Sequence, residues 1–207
     1  NSSNPSSSQY QDEIQKFLAG GFAVEDSAEF NRQTSYVAWN WVANNATTGS
    51  STNSTIQTNS TAKFSIVQWN GTGSDQNIGH GLGVKPDTIW CKNVTENSAT
   101  GSGVSWRIWQ KDAISLSSDP NTYLRFDSDD SNTASGDSWG DTAPTTSVFT
   151  VGADVHTNAS VSGGTATYIA YCFANQEGYF KTGRYVGNSA ANGSFVHLGF
   201  KPSWLMI

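Results

Sequence analysis

The chain has 207 residues, a net charge of −6 and only 14% charged residues. Eleven Lys and Arg scattered over that length form no basic stripe, which excludes a nucleic-acid partner. No run approaches the roughly 18 to 20 apolar residues of a membrane span, and the polar, Ser-rich opening at Asn1 carries no signal-peptide pattern, so membrane insertion is not expected.

Aromatic residues reach 12%, and Ser, Thr, Asn and Gly are abundant, which favours strands and polar turns over helices. Residues 10–18 are the one place where a helix is expected, because Ile14, Phe17 and Leu18 fall at i, i+3 and i+4 and Gly20-Gly21 stop the pattern. Strands are expected at residues 35–42, 64–69, 87–91, 105–110, 123–126, 147–151 and 167–173, each bounded by Gly, Asn, Ser or Pro. In 64–69, Phe64, Ile66 and Gln68 alternate with Ser65, Val67 and Trp69, which leaves neither face polar enough to be fully wet. Both faces are therefore expected to be covered. Residues 45–63, with Ile56 as the only large apolar side chain, read as a Ser/Thr/Asn-rich linker.

The chain also repeats itself. Phe64-Ser-Ile-Val-Gln-Trp-Asn-Gly71 through Leu82-Gly-Val-Lys-Pro86 returns as Phe180-Lys-Thr-Gly-Arg-Tyr-Val-Gly187 through Leu198-Gly-Phe-Lys-Pro202, without a gap and offset by 116 positions (180 against 64, 202 against 86). Tyr36-Val-Ala-Trp-Asn-Trp41 corresponds to Tyr168-Ile-Ala-Tyr-Cys-Phe173, and Phe22-Ala-Val24 to Phe149-Thr-Val151. A period of this length is domain-sized, unlike the short periods of solenoids. The sequence accordingly divides into residues 1–44, the C-terminal part of a preceding unit; 45–63, the linker; 64–176, one complete β unit; and 177–207, the N-terminal part of a following unit. The apolar run Trp204-Leu-Met-Ile207 is the counterpart of Thr88-Ile-Trp-Cys91, so the sequence reads as a piece of a longer tandem array. The expected fold is all-β, a sandwich-like tandem repeat in which residues 180–207 take the strands of 64–91. In the repeated Gly-x-Lys-Pro, Gly83 and Gly199 are expected at positive φ, and Pro86 and Pro202 at the mouth of the following strand.

Candidate chemistry is sparse. His80, His156 and His197 lie far apart at no metal-ligand spacing and read as turn or edge histidines. The acidic segment Asp127-Ser-Asp-Asp130, with Asp137 and Asp141, lacks the spacing of a calcium loop and reads as a solvated loop. The glutamates at 13, 25, 29, 96 and 177 all sit in polar or boundary segments, so no acid/base pair for glycoside hydrolysis is visible. There is no Gly-x-Ser-x-Gly elbow, and no catalytic residue, metal ligand or cofactor site is expected. Arg107 and Arg125 sit between apolar neighbours and are expected to reach solvent or an acidic partner such as Asp127. Cys91 and Cys172 lie inside apolar runs and read as buried free thiols, with a disulfide as the alternative. Most Trp residues fall in strands and read as packing; Trp139, in Gly136-Asp-Ser-Trp-Gly140, is the candidate exposed aromatic for stacking on a glycan. The sequons at Asn59, Asn70 and Asn93 follow from composition.

Several separated motifs carry a family resemblance: Gly81-Leu-Gly-Val-Lys-Pro-Asp-Thr-Ile-Trp-Cys-Lys-Asn93, Phe64-Ser-Ile-Val-Gln-Trp69 with Asn70-Gly-Thr-Gly73, Phe149-Thr-Val-Gly152, Tyr36-Val-Ala-Trp-Asn-Trp41 and Phe200-Lys-Pro-Ser-Trp-Leu-Met-Ile207. Together they resemble a repeat of large virion proteins in tailed marine bacteriophages, where tandem copies occur in tail-fibre-like appendages, sometimes beside a concanavalin-like lectin domain. The Cys-bearing strands and the loop Asp127-Ser-Asp-Asp130 depart from that pattern. The resemblance implies a structural component of a virion appendage, a tail fibre or similar fibre, located in the virion. Its partners would be copies of itself, as a trimer by analogy with phage fibres, other virion proteins, and host surface polysaccharide met through variable loops. A carbohydrate-binding lectin-like module and a capsid decoration protein are the alternatives.

Overall fold

The computed structural model describes residues 14–24, 35–36, 38, 40–43, 49–95, 104–113, 119–126, 133–134, 137–161 and 164–207. The strands in chain order are β1 (Ile14–Leu18), β2 (Gly21–Val24), β3 (Gly49–Ser51), β4 (Ser54–Asn59), β5 (Phe64–Asn70), β6 (Gln76–Gly79), β7 (Thr88–Asn93), β8 (Arg107–Gln110), β9 (Thr122–Tyr123), β10 (Thr133–Ala134), β11 (Val148–Val151), β12 (Ser160–Val161), β13 (Gly164–Thr165) and β14 (Thr167–Phe173). The main sheet is six-stranded, in the order β3-β4-β5-β14-β7-β8, with every pairing antiparallel. The last strand therefore lies in the middle. Along β14, Tyr168 faces Trp69 on one side and Asn93 on the other, and Phe173 faces Phe64 and Thr88.

Period-two alternation gives this sheet two different faces. Val67, Trp69, Ile89, Cys91, Trp109, Tyr168, Ala170 and Cys172 point inward, where Ile78 of β6 and Phe149 and Val151 of β11 close the sandwich. Each large aliphatic side chain removed from water there contributes about 1.5–3 kcal/mol. Trp69 stacks on Tyr168 at 5.5 Å and meets Phe149 edge-on at 5.6 Å. Phe64, Trp90, Ile108 and Phe173 form a second, outer cluster, covered in part by Trp41, Ala43 and Phe180.

The all-β sandwich-like architecture is as the sequence indicates, and the expected strands at 64–69, 87–91, 147–151 and 167–173 form within a residue or two of those bounds. The strands expected at 105–110 and 123–126 are shorter, joined by an antiparallel bridge between Ile108 and Leu124. Other expectations are corrected. Ile14–Leu18 is a strand paired with Gly21–Val24, not part of a helix, and residues 10–13 lie outside the described residues. With Gly20 at a φ of 85°, the chain reverses sharply enough to bring Leu18 opposite Gly21, and hairpin pairing overrides a weak helical period. Within 45–63, read as a linker, β3 and β4 instead extend the main sheet, with Ile56 packed against the inner core, and residues 45–48 lie outside the described residues. A polar strand suits a sheet edge, where only one face needs apolar side chains. The described residues among 35–42 are in no strand, and Val37 and Trp39 lie outside the described residues.

The second copy also departs from expectation. Beyond a bridge between Gln176 and Phe180, residues 181–207 form no strand and include several bends. The turn nevertheless repeats, with Gly83 at a φ of 69° and Gly199 at 85°. Pro86 precedes β7, as expected, but no strand follows Pro202.

The loop after β11 is tied to the β5–β6 turn by one buried side chain. Asn158 Oδ1 accepts from the Thr72 amide (2.8 Å) and Gln76 Nε2 (2.7 Å), while its Nδ2 donates to the Ser74 carbonyl (2.6 Å). Replacing it by Leu removes these hydrogen bonds and with them the side-chain tie between the two loops. Asn158→Leu is expected to lower unfolding stability by about 1–3 kcal/mol in a urea titration with an unchanged m-value.

Candidate functional site

Trp139, the sequence's candidate glycan contact, is 1% exposed and packs edge-on against Phe149 at 6.5 Å. Its amide donates to Asn121 Oδ1 at 2.8 Å, which pins the loop and turns the indole inward. A sugar cannot stack on it. Asp141, read as solvated, is exposed and Asp137 half-buried, and both also brace loops: Asp137 accepts from the Ala153 amide (3.3 Å) and Asp141 from Asn121 Nδ2 (2.6 Å). Asp127-Ser-Asp-Asp130 lies outside the described residues. Among the described residues no group of three or more His, Cys, Asp or Glu is placed to hold a metal ion.

His80 sits in a turn, as expected, but is fully buried, with Nε2 3.3 Å from the Thr145 carbonyl oxygen and Nδ1 accepting from the Leu82 amide. Burial lowers its pKa below the ordinary histidine value of 6.5. Cys91 and Cys172 are free and buried, as read from sequence. Burial pushes the Cys172 thiol up to about 12 and Cys91 well above its ordinary value, so neither is a nucleophile in the folded chain.

The structure brings together one constellation that the sequence reading did not. Arg107, the first residue of β8, turns to the inner face and places Nε 3.3 Å from Asp154 Oδ2, with both side chains buried. Its guanidinium also lies 3.9 Å from the centre of the Tyr123 ring. Ser138 Oγ donates to the same Asp154 oxygen, and the His156 amide donates to Oδ1 at 3.0 Å. His156 Nδ1 stands 2.8 Å from Asp154 Oδ1 and 2.8 Å from Arg107 Nη2. One ring nitrogen can donate to the carboxylate or accept from the guanidinium, not both. Burial alone would push the Asp154 carboxyl up, but the hydrogen bonds from His156 and Ser138, with the Arg107 charge, hold it well below the usual carboxylate range.

This is serine, histidine and aspartate in one place, but not in the order that activates a nucleophile. In a relay the histidine touches the serine oxygen and the carboxylate orients the histidine. Here Ser138 donates directly to Asp154 and is itself fully buried. The arrangement is an ionic knot that ties β8 to the loops at 138 and 154. A signal for it existed in the sequence: a strand arginine flanked by Trp106 and Ile108 must find a buried partner if its face is inward. The acidic partner is Asp154, and Asp127 lies outside the described residues. Arg125, likewise, leans toward Tyr123, its Nη2 3.3 Å from the phenol oxygen.

The remaining surface feature is aromatic. On the outer face Trp106 meets Phe126 at 5.4 Å and Tyr171 at 6.3 Å, and Trp90 meets Phe126 at 5.0 Å. Trp41 lies over Phe64, Trp90 and Phe173 at 6.2, 5.9 and 5.6 Å, and touches Trp204 at 6.5 Å. Beyond Phe180 the chain leaves its apolar side chains in water: Val186 is 73% exposed, Leu205 64%, and Phe195 and Ile207 89% each.

A family model described as "Domain of unknown function (DUF7483)" matches residues 1–207, the whole sequence. The chain belongs to the DUF7483 family. Comparison with curated proteins and with solved structures found no match. In this DUF7483 chain the buried charges Arg107 and Asp154 are paired with each other, and several apolar side chains beyond Phe180 are exposed.

Two titrations should separate in an acid-stability profile of the DUF7483 chain. His80 binds a proton more readily unfolded than folded, so its share of stability falls as pH drops below about 6.5. Asp154 has a depressed folded pKa, so its share is complete above the ordinary value of 3.8 and is lost as pH falls through and below it. His80→Gln should flatten the first leg of the profile, measured as melting temperature against pH, and Asp154→Asn should remove the second. At pH 7 Asp154→Asn should cost about 3–5 kcal/mol, because it leaves Arg107 buried without its counter-charge. Asp75 behaves oppositely: repulsion from Asp137, above all, raises its pKa. Its ionisation disfavours the folded state, so Asp75→Asn should raise the melting temperature at pH 7 and leave it unchanged below pH 3.

Proposed function

We propose that this chain is a structural component of a bacteriophage virion appendage, a tail fibre or similar fibre, and is not an enzyme. It assembles with copies of itself and presents rigid β modules outward. The observation that carries this reading is the apolar segment at residues 181–207, which copies the sequence of β5 to β7 yet stays outside every sheet and exposed. Exposed apolar strand sequences of this kind are tolerated when another chain covers them. Two further features support it. Arg107, Asp154 and Asn158 are committed to holding loops together, and the resemblance to marine phage appendage repeats extends along the chain.

A lectin-like role has one observation in its favour, the outer aromatic face around Trp106, Phe126 and Tyr171, which is only partly covered. Size-exclusion chromatography with light scattering at micromolar concentration tests the two readings. An assembled species, with a trimer expected, supports the structural role. A monodisperse monomer that retains host polysaccharide on an affinity column would replace it with the lectin. Release of reducing sugar from that polysaccharide, lost on Asp154→Asn or His156→Ala with the fold intact, would overturn the non-enzymatic reading.

A further inference from the structure

We infer that Asn192-Gly193 is a site of spontaneous covalent modification, at which the chain loses ammonia and gains an aspartate or isoaspartate, whereas the same dipeptide at Asn70-Gly71 is held inert by the main sheet. Asn-Gly occurs at these two positions and nowhere else in the sequence. The pair favours this reaction because glycine has no side chain to obstruct the approach of its nitrogen to the preceding side chain. The Gly193 amide gives its proton to hydroxide, and its nitrogen attacks Asn192 Cγ. A new C–N bond forms, the Cγ–Nδ2 bond breaks, and ammonia leaves with a proton taken from water, which restores the hydroxide. Water then opens the cyclic imide. Breaking the new bond yields an aspartate in an ordinary backbone; breaking the original peptide bond yields an isoaspartate, whose backbone runs through Cβ and Cγ.

The two sites differ in what holds the attacking nitrogen. Gly71 N–H donates to the Ala166 carbonyl at 2.7 Å, and Asn70, the last residue of β5, stands opposite Thr167 of β14, whose Oγ1 donates to Asn70 Oδ1 at 3.4 Å. Gly71 is buried, and a Cβ there would lie 2.3 Å from the Ala159 carbonyl oxygen, so neither residue can swing toward the other in the closed sheet. Reaction at Asn70 waits for β5 and β14 to part. At Asn192 these restraints are missing. Asn192 and Gly193 are exposed and in no strand, and among the described residues neither the Asn192 side chain nor the Gly193 amide has a hydrogen-bond partner. The turn around them is closed at its ends instead, by Asn188 Nδ2 donating to the Asn192 carbonyl at 2.9 Å and Ser194 Oγ to the Val186 carbonyl at 2.7 Å. The Asn192 side chain is left free to rotate onto the next nitrogen. The product carries a new negative charge between the exposed Val186 and Phe195, and the sandwich is untouched because residues 181–207 give it no strand.

Ageing the chain at mildly alkaline pH, in native buffer and in unfolding urea, tests this. Trypsin releases the two sites in separate peptides, 185–207 and 64–92, and mass spectrometry with fragmentation locates each amide that has become an acid. In native buffer acid is expected at 192 about tenfold or more faster than at 70, and labelling by an isoaspartyl methyltransferase should mark the same peptide. In urea the two rates should converge. Gly193→Ala, at an exposed position where nothing lies within 4 Å of the added Cβ, should slow the native reaction about tenfold and leave the melting temperature unchanged. Acid forming at 192 no faster than at the exposed Asn188 would remove the site. Rates at 70 and 192 that match in native buffer, or that differ as much in urea, would remove the protection assigned to the sheet.

Discussion

The main sheet depends on a strand that arrives last and sits in the centre. Until Thr167–Phe173 is in place, β5 and β7 face each other across an empty lane, with their backbone donors and acceptors unpaired on the sides where β14 belongs. Leaving such groups buried and unpaired is costly, so the lane must be filled. The strand that fills it supplies both faces at once: Tyr168, Ala170 and Cys172 to the inner core, Tyr171 and Phe173 to the outer cluster. Its sequence separation from β5 makes this a non-local closure, in which chain entropy is lost well before the contacts return it.

The same constraint explains what was legible in the sequence and what was not. Strands with partners on both sides carry apolar residues on both faces, and Phe64–Asn70, Thr88–Asn93 and Thr167–Phe173 were readable for that reason. The edge strand β3 and its neighbour β4 carry one large apolar side chain between them, and a stretch that polar reads as linker although β4 is paired on both sides. Residues 181–207 have the pattern of an interior strand set but no neighbour, and pattern alone cannot supply a neighbour. Gly199 shows where the boundary lies. Its positive φ is a local property of the Gly-x-Lys-Pro sequence and appears in both copies, whereas the strand after it is a tertiary property and appears in one.

Polar side chains were the least legible part. Trp139 sits in a loop of Gly, Asp and Ser that looks solvated, and only the hydrogen bond from its amide to Asn121 reveals that the loop folds inward. Asp154 and His156 flank a single residue in a turn, a pattern too common to single out. Their meaning comes from Arg107, which lies 47 positions away in sequence and enters the same volume from a different layer. Buried charge clusters of this kind add little net stability over a well-packed apolar alternative, but they tolerate only one arrangement of the loops that carry them. The knot therefore acts on specificity at the end of the sandwich where β8 meets the loops that carry Ser138 and Asp154.

The two thiols take on a different significance in that light. Cys91 and Cys172 lie on adjacent strands of the inner face, each two residues from the other's register partner, and both are wholly enclosed. A thiol reagent can reach them only after β14 parts from its neighbours. The molecule thus carries an internal clock: the rate at which its thiols become alkylated in native buffer counts openings of the central lane. Oxidation of these sulfurs is gated by the same rare event, so both thiols stay reduced for as long as the central lane stays closed.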